Sequence, residues 1–344
     1  MPFRDITGHS ALHALLSRAV VRGTLPQSLI FAGPEGVGKR LTALALAQLL
    51  NCPQPIEGDD AEPATVRDAC GRCPVCRRIE TNQHPDVVMA GGETSIDEMR
   101  EVLGTAAYRP FEGRRRVFVL DGADRLSAIV QNALLKTLEE PAPSSQFVLV
   151  ASRPDMLLET VRSRCPQLRF GRLPVDEVAR LLVERHGLDP LRAREAAFAA
   201  DGSPGRALAD ASEVGGALRA LAERVVQATA GGGPSQRLRA AQMLLEAGET
   251  KRARGRGTKA AGEREQLAER LEAVSALVRD LGVLAAGGGD EWMSRMPAPE
   301  LGALARRLGP AHFADVFAAI GRAREALERN VSPKAVADWI ALKL

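Results

Sequence analysis

Apolar residues along the chain follow two rhythms. Short uninterrupted runs occur at Leu29-Ile30-Phe31-Ala32, Val87-Val88-Met89, Val117-Phe118-Val119-Leu120 and Phe147-Val148-Leu149-Val150-Ala151. Runs of this length without polar alternation predict strands buried on both faces. Between them the spacing is helical. Leu12, Leu15, Leu16, Ala19 and Val20 predict an amphipathic helix over 9–22, and a second helix runs from Lys39 through Leu50 until Pro53 stops it. A third spans Ser95–Ala107, with Ser95 and Glu98 spaced as a capping box. A fourth is expected over Asp124–Glu140, with Leu126, Ile129, Leu134 and Leu138 on one apolar face. Strands alternating with helices indicate an α/β core. From Pro174 onward the pattern is only helical: Val178, Leu181 and Leu182 share a face, two short helices follow over Leu188–Ala211, and more run from about Glu213 to Leu344 past a break at Gly231-Gly232-Gly233-Pro234.

Composition narrows the class. A length of 344 residues allows two or three domains, and a net charge of +3 implies neither a nucleic-acid nor a membrane partner by itself. The start, Met1-Pro2-Phe3-Arg4-Asp5, has no signal-peptide pattern, and no run of about 18 apolar residues is present. A cytoplasmic location is expected. In a reducing compartment, five cysteines are metal ligands or buried thiols rather than disulfides.

The first strand leads into Gly33-Pro34-Glu35-Gly36-Val37-Gly38-Lys39, which fits the phosphate-loop spacing G-x-x-x-x-G-K. Gly33, Gly36 and Gly38 let backbone N–H groups approach phosphate oxygens, and Lys39 supplies a point charge at a helix N-terminus. The next residue should be Ser or Thr to hold magnesium, but here it is Arg40. Arginine ligates no cation, and it puts a second positive charge where the metal would sit. Asp121 ends a core strand, in the place of the aspartate that faces the metal; a helix cap is its structural alternative. The residue after it, which should be a glutamate acting on water, is Gly122.

An exposed Pro- and acid-rich insertion over 53–69 leads to Cys70-Gly71-Arg72-Cys73-Pro74-Val75-Cys76. Two nested C-x-x-C pairs plus Cys52 provide four thiolates, enough for a closed structural zinc site. Free thiols or a redox pair are the alternatives. The run Arg114-Arg115-Arg116 reads as a solvated turn or a phosphate contact. The basic, glycine-rich stretch Lys251–Lys259 reads as a solvated loop or a contact for DNA or another anionic partner.

Asn132-Ala133-Leu134-Leu135-Lys136-Thr137-Leu138-Glu139-Glu140-Pro141, then Ser163-Arg164-Cys165, and the cysteines inserted after the phosphate-loop helix together resemble the bacterial clamp-loader branch of the AAA+ ATPases. The resemblance is strong over residues 1–210 and weak beyond, and within the branch it is nearest to subunits of the delta-prime type. It implies an α/β P-loop (AAA+) core over 1–170 with a zinc-binding insertion at about 52–80, a helical lid over 171–212, and an all-α collar over 213–344. It places Ser152 at the first sensor position. Gly202-Ser203-Pro204-Gly205-Arg206 falls in the second sensor region, where Gly205 stands in place of the motor subunits' arginine. It makes Arg164 an arginine finger acting on a neighbouring subunit; a surface or core-edge ion pair is the structural alternative for that residue. The implied role is a non-hydrolysing subunit that joins gamma/tau motor subunits and a delta subunit to load the sliding clamp on primed DNA. Arg40, Gly122 and Gly205 are three independent departures from the motor pattern and leave ATP binding open. The alternative is a motor subunit using Lys39 and Asp121. A stand-alone DNA-remodelling ATPase is disfavoured by the Ser163-Arg164-Cys165 signature.

Overall fold

The apolar runs become strands of one parallel sheet. A computed structural model describes residues 1–57, 67–92, 94–230, 233–246, 259–289, 293 and 299–344. In chain order, α1 (Ser10–Arg22), β1 (Ser28–Ala32) and α2 (Lys39–Asn51) come first. The insertion contributes β2 (Ile56–Glu57), β3 (Arg67–Asp68) and α3 (Pro74–Glu80). Then follow β4 (Val87–Gly91), α4 (Ile96–Ala106), β5 (Arg116–Asp121), α5 (Ala128–Glu139), β6 (Ser145–Ala151), α6 (Glu159–Arg162), β7 (Gln167–Arg169) and α7 (Val175–His186). The five-stranded sheet has the order β4-β5-β6-β1-β7, with every neighbouring pair parallel.

The period of two along β1 divides the core. Leu29 and Phe31 pack with Leu16, Leu46, Val117 and Val148 on one face. Ile30 and Ala32 pack with Phe118, Leu134, Phe147 and Leu149 on the other. The sheet is therefore covered on both sides, as continuous apolar strands require. Each fully buried Leu or Phe contributes about 1.5–3 kcal/mol.

Two helices differ from the expectation. The fourth does not begin at Asp124: Ala123–Arg125 is a single 3-10 turn, and α5 starts after Ser127, whose Oγ accepts from the Val130 N–H at 3.4 Å. This start makes Val130, Leu134 and Leu138 the inward stripe, four residues apart, so Ile129 turns outward and is 68% exposed. In α1 the buried stripe is His13, Leu16 and Ser17, while Leu15 faces solvent. α4 has the expected box, with Ser95 and Glu98 each bonded to the other's N–H.

Buried polar groups fix the loop before β5. Asp86 accepts from the N–H groups of Phe111, Glu112 and Gly113 at 2.7–2.9 Å. Asn51 Oδ1 accepts from Arg114 and Arg115 at 2.8 and 2.9 Å. In the arginine run, the Arg115 side chain donates to the Pro143 carbonyl and Arg116 to the Thr105 carbonyl, leaving Arg114 as its exposed member.

The chain separates into two units, Met1–Leu181 with Gly202–Gly205, and Leu182–Asp201 with Arg206–Leu344. The remaining helices are α8 (Pro190–Ala199), α9 (Pro204–Ala211), α10 (Glu213–Ala230), α11 (Pro234–Leu245), α12 (Lys259–Ala285), α13 (Pro299–Leu308), α14 (Pro310–Glu328) and α15 (Pro333–Ala341). In the second unit Leu271, Val274, Val278 and Leu281 of α12 form a stripe within one apolar core with Val225, Leu244, Phe313, Ile320 and Ile340. Gly231-Gly232 and the basic stretch up to Thr258 lie outside the described residues. Among the described residues no helix is long and apolar enough to cross a membrane.

Candidate functional site

The loop from Gly33 to Gly38 leaves the carboxyl end of β1, where β6 lies on one side and β7 on the other. Its conformation needs glycine: φ is +152° at Gly33, +74° at Gly36 and +103° at Gly38. A Cβ at Gly33 would lie 2.1 Å from the Phe170 carbonyl oxygen.

Every carbonyl from Gly33 to Val37 has a donor. Lys39 Nζ donates to Gly33 O at 2.5 Å, to Pro34 O at 2.6 Å and to Ser152 Oγ at 3.3 Å. Ser203 Oγ donates to Glu35 O at 2.8 Å, and the Gly205 N–H to Gly36 O at 2.9 Å. His9 Nε2 lies 3.0 Å from Val37 O; since a carbonyl only accepts, this nitrogen carries the proton. Burial lowers the His9 pKa, which favours the neutral ring. His9 also sits edge-on to Phe170, and its αL backbone (φ +57°) caps α1.

Lys39 is only 5% exposed. Burial lowers its pKa, and the charges of Asp124, Glu35 and Asp121 pull it back up. Asp124, which sequence reasoning did not single out, is 7% exposed; Oδ2 accepts from the Arg153 N–H at 3.0 Å, and Oδ1 has no hydrogen-bond partner. In the sequence it read as the start of a helix. Arg40, one residue into α2, directs Nε toward Asp121 Oδ2 at 3.8 Å. Gly122, at φ +70°, offers no side chain beside them. A Cβ at Gly205 would press on the Gly36 Cα at 3.0 Å, so a side chain there would need the phosphate loop to give by a few tenths of an ångström. Arg206 instead pairs with Glu272 at 2.5 Å.

Arg164 follows the short helix α6. Nε donates to Glu139 Oε1 at 2.7 Å and Nη1 to the Thr160 carbonyl at 2.8 Å. The side chain keeps about a third of its surface in solvent, while the next residue, Cys165, anchors in the core at 2%. Burial pushes the Cys165 thiol up to about 11, so it is an inert packing group. Glu139 stood in the sequence only as part of the Asn132–Pro141 motif; its pairing with Arg164 spans 25 positions and leaves no local pattern.

The insertion brings Cys52, Cys70, Cys73 and Cys76 together with all sulfurs within 4.8 Å of one another. A tetrahedral Zn–S site, with bonds of about 2.3 Å, spaces its sulfurs by about 3.8 Å. The N–H groups of Cys70, Cys73 and Cys76 point at the sulfurs of Cys52, Cys70 and Cys73, each at 3.4 Å. All four residues are buried and none is in a disulfide. Burial raises the pKa of Cys52 and Cys76. Burial also acts upward on Cys70, but the N–H groups of Arg72 and Cys73 outweigh it and lower it to about 6. A dry cluster of this kind is stable as thiolates only with a cation at its centre. Asp68, 2% exposed, joins the insertion to the N-terminus by accepting from the N–H groups of Phe3 and Arg4 at 3.1 and 3.0 Å.

Comparison with known proteins bears on this arrangement. Residues 8–174 match the family described as DNA polymerase III, delta subunit. The DNA polymerase III subunit tau of Escherichia coli (strain K12) is 30% identical over 342 residues, which cover 96% of this chain and 48% of that one. The subunit gamma/tau of Mycobacterium tuberculosis (strain ATCC 25618 / H37Rv) is 35% identical over 184 residues, 52% of this chain and 30% of its own. The chain thus spans half or less of the length of these relatives. Among solved structures, a DNA polymerase III gamma subunit-related protein from Thermotoga maritima aligns over 96% of this chain and 97% of its own, with 16% identity and a TM-score of 0.45.

Proposed function

We propose, from the match of residues 8–174 to the family described as DNA polymerase III, delta subunit, that this chain is the delta-prime-like, non-hydrolysing subunit of a replicative clamp loader. The observation that carries the reading is the Arg40–Asp121 pair. Hydrolysis at a P-loop needs a hydroxyl and a carboxylate on magnesium and a group that orients water. Here the hydroxyl is replaced by a guanidinium, that guanidinium faces the carboxylate, and Gly122 provides no group for the water. Arg164, held on a folded support and partly exposed, would act in trans on the nucleotide of an adjoining motor subunit. In this reading 171–212 serves as lid and 213–344 as collar. The partners are gamma/tau and delta subunits, with the sliding clamp and primer-template DNA met through the assembly in the cytoplasm. Zinc, held by the four cysteines, is structural because four protein ligands leave no open position.

The names of the gamma and tau relatives favour a second reading, a motor subunit of the same machine. The two separate on ATP turnover by the purified chain. The proposed function expects none, and it expects a loader reconstituted with Lys39→Ala to retain nearly its full ATPase rate. Turnover by the isolated wild-type chain that Lys39→Ala abolishes would establish the motor reading instead.

A further inference from the structure

The phosphate loop is intact on its phosphate side and altered on its metal side. We propose that it binds the phosphate chain of a nucleoside di- or triphosphate without magnesium, the Arg40 guanidinium taking over the work of the metal beside Asp121. The inference goes beyond the arginine-finger reading and does not depend on it.

The phosphate side fits. In a planar trans peptide the N–H of one residue points opposite to the carbonyl of the residue before it. The carbonyls of Pro34, Glu35, Gly36 and Val37 are each tied to Lys39, Ser203, Gly205 and His9. The N–H groups of Glu35, Gly36, Val37 and Gly38 are thereby fixed on the other side of their peptide planes. The first N–H groups of α2 add to this set, because a helix start has no internal partners for them. Burial lowers the Lys39 pKa, and the charge of Asp124, whose Oδ1 atom has no hydrogen-bond partner, opposes that shift. The cradle is shaped by the chain's own contacts, so ordering it costs a ligand little.

The metal side does not fit magnesium. That ion requires near-octahedral oxygen ligands at about 2.1 Å. Position 40 offers nitrogens that are always protonated, and their charge repels a dication. In a magnesium-dependent site the ion has two tasks: it contacts the phosphate oxygens, and it cancels the aspartate charge that would repel them. Arg40 does both. Nε, 3.8 Å from Asp121 Oδ2, offsets the carboxylate. The terminal nitrogens of the fork, on a side chain half exposed, match phosphate oxygens in geometry and charge.

The test titrates the full chain with ADP by calorimetry, once in excess EDTA and once in excess Mg²⁺, with inorganic pyrophosphate as a second probe. The expected result is binding in both conditions with the same affinity, weakened at least about tenfold (1.4 kcal/mol) by Lys39→Ala. Arg40→Thr, which restores the hydroxyl and frees Asp121, should make ADP binding magnesium-dependent. Binding by the wild type only with Mg²⁺, or no binding of either probe, overturns the proposal. Magnesium-independent ADP binding by Arg40→Thr overturns the role given to Arg40. None of these outcomes reports on the loader's ATPase rate, so this inference and the arginine-finger reading can fail separately.

Discussion

The guanidinium of Arg164 is aimed by Glu139: Nε donates to Oε1 at 2.7 Å, and Nη2 reaches the same carboxylate. With Nη1 on the Thr160 carbonyl, the side chain has a preset direction before any partner arrives. A half-exposed pair of this kind contributes at most about 1 kcal/mol to stability, so substitutions here test function rather than folding. In a reconstituted clamp loader, Arg164→Ala should slow hydrolysis at the neighbouring site by about 10³-fold or more. Arg164→Lys should also fail, because an ammonium lacks the planar fork. Glu139→Gln should give an intermediate rate, since it loosens the aim and keeps the finger. Single-turnover ATPase rates, with assembly checked by sizing, decide it. Wild-type rates in an intact Arg164→Ala complex would reduce Arg164 to a structural role.

The cysteine cluster predicts one zinc per chain. A colorimetric chelator assay on protein purified without EDTA should release one equivalent, and Cys76→Ser should release markedly less. Loss of the metal should not stay confined to the insertion. Through Asp68 the insertion holds the N–H groups of Phe3 and Arg4, and the Arg4 side chain donates to the Ala69 and Cys70 carbonyls. Limited trypsin digestion should therefore cut stripped protein at both Arg4 and Arg72, with the sheet still protected. Protection at Arg4 after metal removal would show that the N-terminal contacts stand without zinc.

His13 predicts an acid-sensitive step in stability. It is 3% exposed, stacks on Phe3 with ring centroids 5.0 Å apart, and its Nε2 lies 3.1 Å from Thr42 Oγ1. Burial, with a smaller push from His9, lowers its pKa from 6.5 to about 4. Between these values the unfolded chain binds the proton and the folded chain does not, so stability rises with pH across the window. The contribution is fully present above about pH 6.5 and lost on acidification toward pH 4, on the order of 3 kcal/mol. Asp86, also lowered, acts in the same direction but below its ordinary value of 3.8, so the two steps are separable. Thermal unfolding from pH 7 to 4 should show the slope, and His13→Phe should reduce it, leaving the shares of His9 and His84, whose pKa values burial also lowers. An unchanged slope in that variant would assign it to another group.

Two glycines should respond with opposite signs. Gly33→Ala combines a positive φ with a Cβ 2.1 Å from the Phe170 carbonyl, and should cost at least about 2 kcal/mol. Gly104 lies inside α4 with no atom within 4 Å of its would-be Cβ, so Gly104→Ala should stabilise by about 0.5–1 kcal/mol. Urea denaturation of both variants gives the comparison.

Four strands of the parallel sheet, most helices and the cysteine quartet were legible because each has a local signature. The short edge strand β7, Gln167–Arg169, and the β2–β3 pair have no apolar run and were not. Leu29 to Ala32 could only be a two-sided strand, and three cysteines in seven residues had few other uses. The charge conflict at Arg40 was legible too, although its pairing with Asp121 was not. What the sequence hid were polar contacts between distant segments. Ser203 closes on Glu35 across 168 positions, and Asp68 reaches Phe3 across 65; hydrogen bonds of this kind impose no periodicity at either end. The start of α5 was misplaced for a local reason. Asp124 and Ser127 both suit a helix cap, and the chain uses Ser127 there while Asp124 caps the Arg153 N–H. Asn51 and Asp86 were likewise invisible as braces, because each serves backbone N–H groups that could belong to any residue.

α2 carries the phosphate-loop lysine at its first residue, and the first cysteine of the cluster is the residue just beyond its last. Each residue of an α-helix adds about 100° of rotation and 1.5 Å of rise. One residue inserted between Lys39 and Cys52 would swing the sulfur to another side of the helix; one removed would swing it the opposite way. In either case the thiol would miss the other three while Lys39 stayed in the loop. The length of α2 is thus fixed from both ends, and after Lys39 the residues Arg40, Thr42, Gln48 and Asn51 carry polar contacts of their own while the remaining positions need only pack. Descendants of this chain can vary the packing residues of that helix but not its residue number, unless they give up the cysteine cluster first.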